Sequence, residues 1–375
     1  MRIAFYAPLK PPTHVVPSGD RRVAGLLMEA LDRVADKVEL ISTFRSYDAD
    51  GEPARQEGLR RQGEALAARL AAQWRAASAH ERPDLWFTYH VYYKAPDWLG
   101  PAVSEALGIP YVIAEASHAH KRAGGPWAIG HAAAAQAIGH ARLVIAPSRH
   151  DLAGLKELVA PERLVHLPPF VDPGPYAAAA LARSRHRARL AAGRGLDPAV
   201  PWIAVAAMMR PGDKLASYRA LAGALARLAD LPWRLVVAGD GAARAEVQAA
   251  LESAVPGRAA FLGTLGNRDL AEMYAACDLY AWPAVNEAYG MALLEAQAAG
   301  LPVVSRAARG VPDVVVDGRT GVLVEDEGAL SGAIRALLVD AERRAALGRA
   351  AAAFVAAERS IDSAAGRLKR LLSAL

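Results

Sequence analysis

Two glutamates, Glu287 and Glu295, enclose the segment of the chain with the clearest chemical signature. An apolar run at 279–282 precedes them, and Gly290 stands just before a helical run that begins at Met291. Glycine lets the backbone approach a ligand closely, and the first N–H groups of a helix favour an anion. The pattern therefore predicts a phosphate site with a carboxylate at each end. Such a site is suited to a nucleotide-sugar. The alternative is an ordinary strand–turn–helix unit with two solvated acids.

A second group of charged residues follows the predicted strand at 202–207. Arg210 and Lys214 lie in the next loop, before the helix expected from about Leu215. Ligands bind at the carboxyl ends of strands in doubly wound sheets, and an arginine can engage two phosphate oxygens at once. The two cations therefore predict a diphosphate site, where they would neutralise the charge of a departing group. Two surface cations in a turn are the alternative interpretation.

Strands and helices are predicted to alternate along the chain, which is typical of parallel sheets covered by helices on both faces. We predict an α/β protein of two doubly wound, Rossmann-like domains, at 1–180 and 198–356, joined by a linker at 181–197. The predicted strands are 2–6, 38–42, 85–89, 111–114, 143–146 and 163–167 in the first half, and 202–207, 234–238, 259–262, 279–282, 302–305 and 322–324 in the second.

Length and composition exclude several classes of protein. The 375 residues suit two domains of roughly 180 residues, each long enough for a full core. No apolar run is long enough for a membrane span, and a start interrupted by Pro8 and Lys10 is not expected to be a secretory signal. The lone Cys277 excludes an internal disulfide and fits a reducing cytoplasm. A net charge of +5 is too small to indicate nucleic-acid binding.

The segment 287–302 resembles the E-x7-E signature of family 4 retaining glycosyltransferases, with the EA-x-A-x-G-x-PV pattern that follows it. The resemblance covers about 200–322 almost without a gap. It implies the GT-B fold, in which two Rossmann-like domains face each other across a cleft that closes on a nucleoside-diphosphate sugar. In that fold the terminal segment, here 357–375, usually crosses back onto the first domain. Further counterparts of the family's sequence lie at 236–241, 261–265, 273–278, 310–313 and 317–321.

The resemblance also implies the roles of individual residues. Glu295 is expected to hold the ribose and Glu287 to position the sugar ring, while the leaving phosphate itself takes the acceptor's proton. Catalytic contacts are expected from His118, Arg210, Lys214 and Glu287, and donor contacts from Gly19, Leu265, Gly290, Met291, Ala292 and Glu295.

The first domain carries the remaining candidates. Gly19 stands in a loop, 17–21, where the family commonly has a Gly-Gly pair beside the donor phosphate, and only one of the two glycines is present here. His118 follows the strand at 111–114 and corresponds, slightly offset, to a family histidine that contacts the transferred sugar. The alternative is a loop histidine in solvent or paired with Glu115. On the acceptor side we expect His90, Tyr93, Lys121 and Arg122; plain packing is the alternative for His90 and Tyr93.

No metal site or cofactor is expected. Asp48 and Asp50 form a D-x-D pattern like that of metal-dependent transferases of another fold, but the turn that follows favours solvated carboxylates. The histidines show none of the helix spacings typical of zinc sites.

An amphipathic stretch at 55–75 has Leu59, Leu66, Leu70 and Trp74 on one stripe and arginines mostly elsewhere. A helix packed on the core is the favoured interpretation, because Glu57 and Glu64 interrupt the basic face. Peripheral contact with an acidic membrane surface is the alternative.

Together these features predict a cytoplasmic, metal-independent retaining glycosyltransferase. The expected donor is a UDP- or GDP-linked sugar, and the acceptor is a saccharide, a lipid-linked molecule or a small molecule. Synthesis of cell-surface glycan, glycolipid or secondary metabolites is the expected context. Two alternatives stay open: a nucleotide-sugar epimerase of the same fold, and a non-catalytic protein that binds nucleotide-sugars.

Overall fold

Two six-stranded sheets organise the chain. The computed structural model describes residues 1–16 and 18–375, so Pro17, the first residue of the predicted phosphate loop, lies outside the described residues. The chain divides into one unit of Met1–Pro168 with Ile361–Leu375 and a second unit of Pro169–Ser360. Each unit has a parallel sheet with helices between successive strands, which confirms the prediction of two doubly wound α/β domains.

The sheet of the first unit has the strand order β2-β1-β3-β4-β5-β6. Its inner strands β1, β3, β4 and β5 are largely apolar because helices cover both faces, as parallel sheets require, whereas the edge strand β2 is partly exposed. In β3 and β4 the only residues that are not fully buried are His90 and Glu115. The strands are β1 (Arg2–Tyr6), β2 (Lys37–Ser42), β3 (Leu85–Val91), β4 (Tyr111–Ala116), β5 (Leu143–Ala146) and β6 (Leu164–His166), and the helices are α1 (Gly19–Asp32), α2 (Pro53–Ala76), α3 (Gly100–Leu107), α4 (Ala128–His140) and α5 (Arg149–Leu155).

The sheet of the second unit has the order β12-β11-β10-β7-β8-β9. The chain therefore starts in the middle at β7, proceeds outward to β9, and then returns to β10 on the other side of β7. The strands are β7 (Trp202–Ala206), β8 (Arg234–Ala238), β9 (Ala259–Gly263), β10 (Leu279–Trp282), β11 (Val303–Arg306) and β12 (Gly321–Val324), and the helices are α6 (Gly174–Leu181), α7 (Arg183–Arg194), α8 (Asp213–Ala226), α9 (Arg244–Ala254), α10 (Asn267–Ala276), α11 (Met291–Ala298), α12 (Glu327–Val339) and α13 (Ala341–Glu358).

Residues 181–197, which we expected to form a linker, belong to the second unit, and most of them are helix α7. The reason lies in the arginines of this stretch, because two of them engage the Asp278 carboxylate. Arg183 Nη2 lies 2.7 Å from Asp278 Oδ1, and Arg187 Nη1 lies 3.0 Å from Asp278 Oδ2. These ion pairs dock α7 beside the start of β10.

The last helix, α14 (Ile361–Leu372), groups with the first unit. It packs on α1, where Arg33 Nη1 lies 2.5 Å from Asp362 Oδ1. Arg367 also donates to the His166 carbonyl oxygen at the end of β6, at 2.6 Å. The chain thus enters the second unit at residue 169 and leaves it at residue 360.

Helix α2 packs on the core of the first unit, which confirms the favoured interpretation. Its buried positions are Gln56, Gly63, Ala67, Ala71 and Trp74, and Leu66 and Leu70 of the predicted stripe pack against the same core. Small residues allow the close approach, since a β-carbon on Gly63 would lie 2.4 Å from Trp98 Cβ. Among the described residues, no helix is both long and apolar enough to cross a membrane.

Asp48, which we expected to be a solvated loop carboxylate, is 1% exposed. Its Oδ2 accepts the N–H groups of Gly51 at 3.0 Å and Glu52 at 3.1 Å, and its Oδ1 accepts that of Asp50 at 3.2 Å. Aspartate commonly accepts backbone N–H groups of the following residues in this way. The carboxylate therefore builds the turn that leads into α2, and the prediction of a solvated side chain is wrong.

Replacing Asp48 with alanine is expected to lower the free energy of unfolding by about 2–4 kcal/mol, because buried N–H groups lose their acceptors. Asp50→Ala is the matched control, since Asp50 is exposed in the same turn, and it is expected to change stability by less than about 0.5 kcal/mol. Urea denaturation of both variants measures the difference. Equal stability of the two would contradict the structural role of Asp48.

Candidate functional site

The strand order of the second unit places its candidate site at the neighbouring strands β7 and β10. From this point the chain continues to β8 on one side and to β11 on the other. The loops that leave the carboxyl ends of two such strands diverge and form a crevice, which is where doubly wound sheets bind ligands. These two loops, 207–212 and 283–290, carry or adjoin most of the predicted donor residues.

The loop after β7 is held by two glycines that follow β8. Met209 donates its N–H to the Asp240 carbonyl oxygen at 2.9 Å. Gly239 has a φ of 138°, and a β-carbon there would lie 1.9 Å from the Ala207 carbonyl oxygen; one on Gly241 would lie 2.4 Å from the Met209 carbonyl oxygen. Glycine is required at both positions because any side chain would collide with this loop. The glycines thereby fix the segment that carries Arg210 and leads to Lys214.

Lys214 and Glu287 meet in an ion pair, although 73 residues separate them in the chain. Trp282 at the end of β10 supports the pair, since its Nε1 donates to Glu287 Oε2 at 3.3 Å. The Lys214 ammonium also lies 5.6 Å from the centre of the Trp282 ring. Both charged side chains are partly buried, at 27% and 16% exposed, which strengthens their attraction. Arg210, in the preceding loop, is exposed.

The loop between β10 and α11 has an unusual backbone. Ala284, Asn286 and Gly290 have φ values of 56°, 51° and 77°. Non-glycine residues in this region are strained, and such strain is concentrated at functional sites. Two hydrogen bonds with α8 hold the loop in this conformation. Val285 N–H donates to Ser217 Oγ at 3.0 Å, and Asn286 Nδ2 donates to Asp213 Oδ2 at 2.9 Å.

Helix α11 begins at Met291, as predicted, with Gly290 as its N-cap residue. The N–H groups of Met291 and Ala292 have no acceptor within the helix, as is general for a first turn. Glu295 lies about one turn further and is 5% exposed. Leu265 is in the loop after β9, two strands away from β7. The structure thus brings Lys214 and Glu287 into contact, whereas Leu265 lies elsewhere along the same sheet edge.

In the first unit, His90 and Glu115 face each other from the carboxyl ends of β3 and β4. Both have left-handed backbone conformations, with φ values of 64° and 61°. The residues on either side of each are paired between β3 and β4, but His90 and Glu115 themselves are not among the paired residues. His90 Nδ1 lies 3.4 Å from Glu115 Oε1 and 3.1 Å from Asp20 Oδ1, in the first turn of α1. Burial lowers the pKa of His90, but the carboxylates of Glu115, Asp20 and Asp151 outweigh it and raise that pKa to about 9.

The stability of the protein is expected to fall between about pH 6.5 and pH 9 because of His90. A histidine whose folded pKa exceeds its unfolded value stabilises the fold below the unfolded pKa, and this contribution disappears as pH rises through the folded pKa. The shift from 6.5 to about 9 corresponds to at most about 3.4 kcal/mol. Denaturation at pH 6 and pH 9.5 measures it, and His90→Gln should flatten the difference. A parent and variant with equal slopes would contradict the assignment.

Of the other acceptor-side candidates, Tyr93 and Arg122 belong to a group of aromatic contacts that reaches His90. The Tyr93 ring is 5.6 Å from the Trp127 ring, and the Arg122 guanidinium lies 5.3 Å from the centre of the Tyr93 ring. Tyr92 links this cluster to His90, with its ring 5.1 Å from the imidazole and 5.3 Å from the Tyr93 ring. Lys121 is exposed in the preceding turn. The structure thus connects His90, Tyr93 and Arg122 through aromatic contacts, and Lys121 takes no part in them.

Gly19 is the first residue of α1, and Ser18 caps that helix by accepting the Arg21 N–H at 3.2 Å. Ser18 has an extended backbone with φ −165°, which any residue adopts. A β-carbon on Gly19 would meet nothing within 4 Å, so packing within the unit does not require glycine there.

His118 lies two residues beyond β4, and its ring is among other histidines. Its centroid is 4.7 Å from that of His131 and 5.1 Å from that of His120. Burial and these two neighbours lower the pKa of His118. Glu115, the alternative partner, lies beside His90, with its Oε1 3.4 Å from His90 Nδ1.

Sequence reasoning missed Asp20, Glu115 and Trp282. The first two follow or end strands β1 and β4, which flank β3 in the sheet. Polar residues at the carboxyl ends of three adjacent strands must lie close together, so the strand order would have revealed them. Trp282 was counted as the end of an apolar strand, and nothing in its sequence context indicates a hydrogen bond with Glu287.

The fold and the second unit resemble a known class of transferases. Residues 217–354 match the family model described as "Glycosyl transferases group 1". This segment contains the β10–α11 loop and the whole of α11. The match covers 138 of the 375 residues, all of them within the second unit.

Individual relatives agree with this class. A D-inositol 3-phosphate glycosyltransferase of Nocardia farcinica is 30% identical over 253 residues, which are 64% of this chain and 54% of that protein. The matched segments span between 20% and 54% of the length of such curated relatives.

Two solved structures share the fold over the whole chain. HepE of Anabaena in complex with UDP has a TM-score of 0.75 at 19% identity and covers 100% of both chains. Sucrose-phosphate synthase of Thermosynechococcus elongatus has a TM-score of 0.71 at 21% identity, covering 100% of this chain and 99% of that one.

Proposed function

We propose that this chain is a retaining glycosyltransferase that moves a sugar from a nucleoside-diphosphate sugar to an acceptor hydroxyl. The observation that carries the proposal is the Lys214–Glu287 pair beside the first turn of α11. A cation and a helix N-terminus favour a diphosphate, and a carboxylate next to them can accept the hydroxyl groups of the attached sugar. The E-x7-E resemblance of 287–295 supports the same roles.

Donor binding would separate Lys214 from Glu287 and give each of them a new partner. The diphosphate would attract Lys214 and Arg210, while the Glu287 carboxylate would accept hydroxyl groups of the sugar instead of the ammonium. Glu295, one turn into α11, would hold the ribose. UDP is the favoured nucleotide, since a protein of the same fold, HepE, is described in complex with UDP.

In the transfer step, the bond between the anomeric carbon and the diphosphate oxygen would break. The acceptor oxygen would form the new bond on the same face, and its proton would pass to the departing diphosphate. Lys214, Arg210 and the N–H groups of Met291 and Ala292 would stabilise the charge that develops on the diphosphate. No carboxylate would form a covalent intermediate. Because these groups already supply positive charge, we further propose that no divalent cation is required.

Product analysis tests this function. The full chain is incubated with UDP- and GDP-linked α-sugars and a set of saccharide and polyol acceptors, and the anomeric coupling of the product is read by proton NMR. An α-linked product supports the proposal, and activity in excess EDTA should stay within about two-fold of that with magnesium. A β-linked product would remove the retaining mechanism. Release of an epimerised sugar without acceptor would indicate an epimerase, and binding without turnover a non-catalytic protein.

A further inference from the structure

His118, His120 and Glu157 form a group in the first unit. Of the three, only His118 was among the predicted site residues. His118 and His120 follow β4, and Glu157 follows α5. One donor atom from each lies within 4.8 Å of those of the other two, and among the described residues this is the group that could hold a metal ion. His120 Nε2 is already 2.7 Å from Glu157 Oε2.

The close packing of two segments holds the group together. A β-carbon on Gly154 in α5 would lie 2.7 Å from the His118 carbonyl oxygen, so α5 approaches the loop after β4 as only glycine allows. This approach brings Glu157 to the two histidines, from 37 residues further along the chain. The neighbouring His131 fixes the loop from the other side, because its Nε2 is 3.1 Å from the Ala119 carbonyl oxygen.

The donor set selects the kind of cation. Two imidazoles and one carboxylate are ligands that suit Zn²⁺ and similar transition metals, whereas Mg²⁺ and Ca²⁺ prefer oxygen ligands alone. One ring nitrogen of His118, Nε2, is buried and has no hydrogen-bond partner. His120 and Glu157 are 74% and 50% exposed, which leaves the group accessible to an ion from solvent.

We propose that His118, His120 and Glu157 form a binding site for Zn²⁺ or a similar transition-metal ion, and that its occupation inhibits glycosyl transfer. The inhibition rests on the proposed function and on the expectation from the family resemblance that His118 contacts the transferred sugar. An imidazole that coordinates a metal is held in one orientation and loses a nitrogen for hydrogen bonding, so it is withdrawn from that role. Binding itself does not depend on the function.

Binding is tested on the EDTA-treated full chain by competition for Zn²⁺ with a chromophoric chelator. One equivalent is expected to bind, and His120→Ala and Glu157→Gln should each weaken binding by about ten-fold or more. Both side chains are exposed, so the variants should fold, and thermal unfolding without metal verifies this. His80→Ala, an exposed histidine of the same unit, is the matched control. Unchanged affinity in the two site variants, or no binding by the parent chain, would overturn the site.

Inhibition is tested by turnover with and without one equivalent of Zn²⁺. The parent chain should lose most of its activity and regain it with EDTA, while His120→Ala and Glu157→Gln should remain active at the same Zn²⁺ concentration. Equal inhibition of parent and variants would overturn the regulatory role. A chain without turnover even in the absence of Zn²⁺ would instead count against the proposed function, and the competition assay would still decide on the metal site.

Discussion

Replacing Lys214 with alanine is expected to lower the rate of glycosyl transfer by about 10²- to 10³-fold. The ammonium group lies at the crevice between the β7 and β10 loops and faces the carboxylate that precedes α11. Its removal takes away a charge that would act on the diphosphate as it departs. The same change leaves Glu287 with the Trp282 N–H as its described partner, so the sugar position would suffer as well.

The matched control for this variant is Arg219→Ala. Arg219 lies on the same helix, α8, but its partner is Glu246 on the surface, at 3.1 Å, and both side chains are more than half exposed. Exposed pairs of this kind contribute little, so activity and stability should remain near those of the parent chain. Steady-state kinetics with saturating donor compare the two variants. If Lys214→Ala retained the rate of Arg219→Ala, the assignment of the diphosphate site would be lost.

Gly239→Ala is expected to destabilise the second unit by about 3 kcal/mol or more. Its φ of 138° is outside the range of side-chain-bearing residues, and its β-carbon would lie 1.9 Å from the Ala207 carbonyl oxygen. Backbone has to move to relieve that collision, and the backbone that moves is the loop leading to Arg210. We therefore expect any folded fraction to bind nucleotide more weakly too.

Gly223→Ala, in the same unit, is expected to raise the free energy of unfolding. Gly223 is exposed in the interior of α8, and a β-carbon there would meet nothing within 4 Å. Alanine should stabilise the helix by about 0.5–1 kcal/mol. Urea unfolding of both variants measures whether each one lowers or raises the free energy of unfolding. A Gly239→Ala chain as stable as the parent would show that the contact between the β7 and β8 loops is not rigid.

The sequence predicted the sheets well because buried parallel strands leave a simple pattern. Each of the twelve observed strands overlaps a predicted one, including short edge strands such as Val322–Val324 within β12. Such apolar runs can be recognised along the sequence without knowing which strands are neighbours in the sheet. Helix α11 was also predicted from its first residue, because Gly290 and Gly300 mark its ends locally.

The features that were missed depend on contacts between distant segments. Asp48 looks like a solvated turn residue until α2 and the loop at Trp127 cover it, and Trp127 Nε1 donates to the Asp48 carbonyl oxygen at 3.0 Å. The arginines of α7 look like a solvated linker until Asp278 is placed beside them. Trp127 lies 79 residues from Asp48, and Asp278 lies 95 residues from Arg183, so no local pattern contains either of these contacts.

The Lys214–Glu287 pair also has a consequence for how fast a donor is captured. A cation that is already neutralised adds little to the long-range field of the protein, whereas an exposed cation attracts anions over about one Debye length. Of the two phosphate-binding candidates, Arg210 is exposed and Lys214 is paired. Encounter with a diphosphate would therefore be guided mainly by Arg210, and Lys214 would join only after the sugar's hydroxyl groups reach Glu287. Free phosphate, which lacks those hydroxyl groups, would not release Lys214 from Glu287 and would dissociate quickly.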